Sequence, residues 1–140
     1  MHRCCSQSHS ASTNNQLLIA VALLLLLSTP LAASGAPNST PLSVRCNGAV
    51  YGVRDPFAES LAYVLADLLA ATPSSRARDA YSISPYPNAF AYGHAKCGGA
   101  VTSCLGSAVG RMNTTCHRAV GARAVLVDCR VRYEQYAFVD

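Results

Sequence analysis

Apolar residues recur along this chain in three rhythms. From Leu17 to Leu27 they are continuous, eleven residues with no polar side chain between them. Phe57, Leu61, Val64, Leu65, Leu68 and Leu69 instead follow spacings of three and four, which aligns them as one stripe on a helix of about four turns. Asp55-Pro56 ahead of the stripe is a helix start, because Asp can accept from the open amides and Pro fits the first helical position. Thr72-Pro73-Ser74-Ser75 ends it. From Arg123 to Phe138 the pattern alternates, with Val125, Val127, Cys129, Val131 and Tyr133 on one side, the mark of strand with one buried face. Between these lie shorter signals. Leu42–Cys46 reads as a first short strand, and Asp79–Ser84 and Ala89–Cys97 as strands around a turn at Pro85-Tyr86-Pro87-Asn88. Thr102-Ser103 is placed to cap a second helix carrying Leu105, Ala108, Val109 and Met112. The order strand, helix, two strands, helix, two strands predicts an α+β domain.

The continuous run is too short to span a bilayer, which takes about 20 apolar residues. Small residues follow it through Ala32, Ala33, Ser34, Gly35 and Ala36, the layout of a cleaved secretory signal. Residues 1–35 are therefore expected to be a signal peptide, cut between Ala33 and Ala36, and 36–140 the folded domain. A signal anchor is the competing reading, since only Arg3 is charged ahead of the run. Loss of the leader leaves ten basic residues against seven acidic, a mild excess that steers weakly toward anionic surfaces. No basic run or zinc spacing speaks for nucleic-acid binding. Asn38-Ser39-Thr40 and Asn113-Thr114-Thr115 are glycosylation acceptors.

Cys46, Cys97, Cys104, Cys116 and Cys129 remain after the leader, and secretion makes disulfides the expectation. The odd number leaves one thiol over or makes an intermolecular bond. A local Cys97–Cys104 bridge is sterically open. His94 near Cys97, and His117 beside Cys116, raise a thiol nucleophile, but neither spacing is diagnostic. Zinc at Cys97, Cys104, Cys116 and His117 competes with oxidation and is weak for that reason. Asp128 and Glu134 as a glycosidase pair rest on residue type alone. Gly98-Gly99 lacks the GK[ST] of a phosphate loop and reads as a tight turn.

Cys46 followed by Asn47, the cluster Cys97, Cys104, Cys116, Cys129, and the segment from Gly121-Ala122-Arg123 through Asp128-Cys129 to Tyr133-Glu134-Gln135-Tyr136-Ala137-Phe138 together resemble the ginkbilobin-type stress-antifungal domain of land plants. The resemblance runs from Val44 to Phe138. It implies two helices packed on one antiparallel sheet of about five strands, stapled by Cys46–Cys116 and Cys104–Cys129. The family spacing C-x8-C-x2-C is shortened here: Cys97 matches its first cysteine and Cys104 its third, so Cys97 loses its partner. A monomer is expected, with a Cys97-linked dimer as the other use of that thiol.

The same resemblance implies a mannose site at Asn47, Arg123 and Glu134. An amide, a donor fork and a carboxylate are the groups that read sugar hydroxyls, which both donate and accept. Taken by chemistry alone, Arg123 and Glu134 would be an ordinary surface ion pair and Asn47 a turn residue. Eleven residues of unbroken strand would hold Arg123 and Glu134 roughly 36 Å apart at ~3.3 Å per residue. A shared site therefore needs a reversal, expected near Asp128 to Arg130, although no Gly or Pro marks one. The expected function is a secreted plant defence protein, not an enzyme and without cofactor, that binds mannose or mannan of fungal cell walls. An apoplastic protein-interaction module without sugar binding is the alternative.

Overall fold

The computed structural model describes residues 35–98 and 102–140. Seven elements follow in order: β1 Pro41–Cys46, α1 Phe57–Ser74, β2 Asp79–Ile83, β3 Tyr92–Cys97, α2 Thr102–Thr115, β4 Gly121–Leu126 and β5 Cys129–Glu134. The strands form one sheet in the order β1-β4-β5-β3-β2, with every neighbouring pair antiparallel. Both helices pack on one face of it, α1 over β2 and β3, α2 over β1, β4 and β5. This is the expected α+β architecture. The leader expected at residues 1–35 lies almost wholly outside the described residues, as does Gly99 of the Gly98-Gly99 turn.

The helical stripe buries as its period requires. Phe57, Leu61, Val64, Leu65 and Leu68 are all inside, and Leu69 is half-buried against the same cluster. Pro56 already has helical angles, φ −59° and ψ −19°, so Asp55 is the cap, its Oδ1 accepting from Phe57 N–H at 2.9 Å. α1 has 18 residues, about five turns against the expected four, and it runs through Pro73 to end at Ser74. β3 begins at Tyr92, three residues later than expected. Thr102 is already the first residue of α2, so it is not the helix cap.

The alternation from Arg123 onward needs correction. Two strands lie there, and the buried face changes phase between them. In β4 the core side is Ala122, Ala124 and Leu126, with Val125 only half-buried and Val127 47 % exposed. In β5 it is Cys129, Val131 and Tyr133, as expected. A two-residue turn at Val127-Asp128 causes the shift, one residue upstream of the expected reversal. Neither turn residue has positive φ. The turn is held from outside: Val127 N–H donates to Thr40 C=O, Asp128 N–H to Asn38 C=O, and Gly98 N–H to Asp128 C=O.

Two disulfides tie α2 to the sheet. Cys46 at the end of β1 is bonded to Cys116 just after α2, and Cys104 in α2 to Cys129 at the start of β5. Cys97 is a buried free thiol directly across from Cys129 on the neighbouring strand. Burial pushes its pKa up, against a smaller opposing pull from Arg78.

Candidate functional site

The face of the sheet away from the helices carries polar side chains in register. One row crosses all five strands: Arg45, Arg123, Arg132, His94 and Tyr81. The row beside it at one end is Gly121, Glu134, Tyr92 and Ile83, extended by Asn47, whose N–H donates to Gly121 C=O at 2.7 Å. Arg123 pairs with Arg132, and Gly121 with Glu134. Arg123 and Glu134 are thus diagonal neighbours on one face, a relation that places backbones about 7–8 Å apart. The hairpin has brought together what an unbroken strand would have held far apart.

Asn47, Arg123 and Glu134 line one open depression of about 310 Å³, with Arg45, Arg132 and Tyr136 at its walls. Glu134 is 8 % exposed and receives one hydrogen bond, Arg132 Nε to Oε1 at 3.2 Å. Its Oε2 is buried with no partner, and so is Arg123 Nε, although the Arg123 side chain as a whole is 41 % exposed. Asn47 Oδ1 accepts from Ala49 N–H at 3.2 Å, which leaves its amide NH2 as the donor. Asn47 therefore holds a turn and lines the depression at once. Gly121 forms part of the floor, and a Cβ there would fall on the Glu134 carboxylate. Tyr133 anchors the far side of β5, donating to Ala119 C=O at 3.1 Å; burial above all, with Tyr51 and Glu134, pushes its hydroxyl up to about 12. An acceptor and a donor without partners in one depression complement a hydroxyl, which can answer both.

Behind this depression lies a charge network that the sequence did not disclose. Asp140 folds back over the sheet, its side chain only 4 % exposed. Its Oδ1 accepts from Arg132 at 2.9 Å and lies 3.7 Å from Arg123, and its Oδ2 is 3.1 Å from His94 Nδ1. The other ring nitrogen of buried His94 is 2.6 Å from Asp79 Oδ1, and Lys96 joins Asp79 Oδ2 at 3.1 Å. Tyr81 stacks on the His94 ring with centroids 4.0 Å apart, and the Arg132 guanidinium lies 4.1 Å over the Phe138 ring. Burial alone would raise the pKa of Asp140, but hydrogen bonds from His94 and Arg132 with the charges of Arg123 and Arg132 hold it below the ordinary value. Asp79 is lowered likewise, burial being outweighed by His94 and Lys96. Burial would lower Arg132, and its contacts to Asp140 and Glu134 raise it instead. Arg132 was findable, because it stands two residues before Glu134 on the same strand face. Asp140 was not, because no local pattern draws it back across the sheet.

The other chemistries considered for the sequence do not assemble. His94 and Cys97 stand three apart on one strand and so point to opposite faces of the sheet. Cys104 and Cys116 are disulfide-bonded, which removes the thiolates a zinc site would use. Asp128 sits in the hairpin turn and Glu134 at the far end of β5, about 20 Å of strand away and beyond the span of a glycosidase pair.

The family model described as salt stress response/antifungal matches residues 45–136. An antifungal protein ginkbilobin-like protein 1 of Picea glauca is 34% identical over 139 residues, covering 95% of this chain and 98% of that protein. Antifungal protein ginkbilobin-2 of Ginkgo biloba is 34% identical over 138 residues, covering 89% and 96%. Among solved structures, the tandem DUF26 ectodomain of the Arabidopsis thaliana cysteine-rich receptor-like protein PDLP5 superposes with a TM-score of 0.63 at 20% identity, over 71% of this chain. The chain spans 52% of that ectodomain, about half its length.

Proposed function

We propose, from the premise that this chain belongs to the salt stress response/antifungal family, that it is a secreted plant defence protein whose open sheet face binds mannose or mannan of fungal cell walls and so restrains fungal growth. The observation that carries the reading is the pair of buried, unpartnered atoms, Glu134 Oε2 and Arg123 Nε, on residues lining the same depression as Asn47. Buried polar groups without partners cost about 1–3 kcal/mol each, and a hydroxyl-bearing ligand returns that energy on binding. The antifungal names of the relatives support a binding protein over an enzyme. The two disulfides suit an oxidising extracellular compartment, with residues 1–35 as the leader removed on the way.

Arg123→Ala is the test. Loss of a charged hydrogen-bonding group should cost about 1.5–3 kcal/mol of binding, a tenfold or greater drop in mannan affinity measured by calorimetry. Stability should move by less than ~0.5 kcal/mol, since the side chain is partly exposed and outside the core. Arg123→Lys should not restore affinity in full, because a point charge lacks the planar fork. Equal mannan affinity in wild type and Arg123→Ala would overturn the site and leave a protein-interaction module in its place.

A further inference from the structure

The row Arg123, Arg132, His94 already holds a carboxylate, and that carboxylate belongs to the chain itself. Asp140 makes a bidentate contact, one oxygen toward the two arginines and the other toward the His94 ring, with its side chain almost wholly covered. The segment that delivers it is weakly held by comparison. Beyond β5, Tyr136 is half exposed and Val139 is 90 % exposed, Phe138 lies under the Arg132 guanidinium, and the Asp140 backbone adds a long N–H to Tyr81 Oη interaction of 3.5 Å. We propose that Arg123, Arg132 and His94 form a carboxylate subsite adjoining the sugar depression, that Asp140 occupies it as a tethered stand-in, and that a polyuronate, a saccharide chain with a carboxylate on each sugar, takes it by displacing Asp140.

The groups around the subsite set its preference. With Asp140 displaced, Arg123, Arg132 and His94 face Glu134, which is engaged by Arg132, and Asp79, which is engaged by Lys96 and the other nitrogen of His94. The two arginines outweigh Glu134, so the remaining balance is cationic, and two further cations, Arg45 and Arg130, stand in register on the same face. Arginine in a planar fork suits a carboxylate, and neighbouring cations suit a repeat of them. A tethered competitor acts at an effective concentration of order millimolar. A single free carboxylate is therefore a poor rival, and a chain carrying many is a good one. The subsite shares Arg123 with the proposed mannose site, but its ligand class and its reporter, Asp140, are separate.

Trigalacturonate and its fully methyl-esterified form are the probes, titrated by calorimetry at neutral pH into wild type, Asp140→Asn and the Asp140→Asn/Arg132→Gln double variant. Asp140→Asn should bind the acid at least about tenfold more tightly than wild type, since it no longer competes with a charge. The ester should show no such gain, and the double variant should lose it. In wild type, the acid and not the ester should shift the backbone amide resonances of Val139 and Asp140. Equal affinity of Asp140→Asn and wild type for the acid, an equal gain for acid and ester, or static Val139 and Asp140 resonances at saturation would overturn the proposal. Mannan is titrated alongside. Failure of every protein to bind it removes the neutral-sugar reading and leaves the acid–ester difference as an independent result.

Discussion

The two faces of this sheet are built by adjacent rows of the same five strands, yet they do different work. Toward the helices the row is Val44, Ala124, Val131, Ala95 and Ala80; one residue along, toward solvent, it is Arg45, Arg123, Arg132, His94 and Tyr81. The inner row is small and apolar, which lets both helices lie close and lets Leu68, Leu105 and Met112 fill the space fully. The outer row is long and mostly charged, and its His94 and Arg132 are held through Asp79, Glu134 and Asp140 instead of through packing, while Arg123 Nε stays unpartnered. The apolar core is concentrated on one parity of the strands and the charged side chains on the other. Substitutions on the inner face should therefore register mainly as losses of folding, and those at Gly121 and Arg123 on the outer face mainly as losses of mannan binding.

The staples on the helix side carry the largest expected effect. Replacing both Cys46 and Cys116 with Ala opens a loop of 70 residues, and replacing Cys104 and Cys129 opens one of 25. Chain entropy puts these at about 4.4 and 3.5 kcal/mol, as upper-end figures. Denaturant unfolding should show both losses in the midpoint, with the longer loop costing more. In wild type lacking residues 1–35, Cys97 should resist alkylation in the native state and should react once the chain is unfolded, giving one labelled cysteine by intact mass. A labelled Cys104 or Cys129 in its place would mean that the bridges have exchanged.

Two glycines test the division between faces directly. A Cβ at Gly93 would press on Val64 and Leu68 of α1, whereas one at Gly121 would press on the Glu134 carboxylate. Gly93→Ala should thus destabilise by about 1–3 kcal/mol through overpacking, and mannan binding measured below the melting transition should change little. Gly121→Ala should lower the melting temperature less and weaken mannan binding about tenfold, by displacing the acceptor that Arg132 positions. If Gly121→Ala costs more stability than Gly93→Ala while binding survives, the outer face is structural and its division from the core is lost.

What the sequence disclosed follows the same line. The inner face was legible because apolar periodicity is a local signal: the stripe from Phe57 to Leu68 and the set Cys129, Val131, Tyr133 are buried as expected. The failure at Val125 and Val127 has a physical source. Two valines continued the alternation across a turn whose hydrogen bonds come from Asn38 and Thr40, some 90 residues earlier. Side-chain hydrophobicity alone could not report that reversal. On the outer face, Asn47, Arg123 and Glu134 were marked only by their resemblance to a family pattern. Arg132 carried a signal in its parity with Glu134. The ring of Asp79, His94, Arg132 and Asp140 arises from strand order, since β3 lies between β5 and β2, and strand order is not written in any one segment.

The smallest expected effect is the response to acid, and it too belongs to the outer face. Asp79 and Asp140 both have pKa values held below the ordinary 3.8, burial being outweighed in each by hydrogen bonds to cationic partners. In the unfolded chain these carboxyls take up protons nearer 3.8, so between the two values the unfolded state binds more protons and stability rises with pH. Their contribution is fully present above 3.8 and is lost as pH falls through the lowered, folded-state values. The inner face contributes nothing to this slope, because its rows are apolar and its cysteines are bonded or, for Cys97, held protonated by burial. Melting temperature followed from neutral pH downward should therefore stay level until about pH 4 and then decline. Asp79→Asn and Asp140→Asn together should lower the plateau and flatten the decline, while Gly93→Ala should lower the plateau and leave the decline unchanged. A decline of the same steepness in the double Asn variant would place the acid-sensitive groups elsewhere and would detach this network from the stability of the fold.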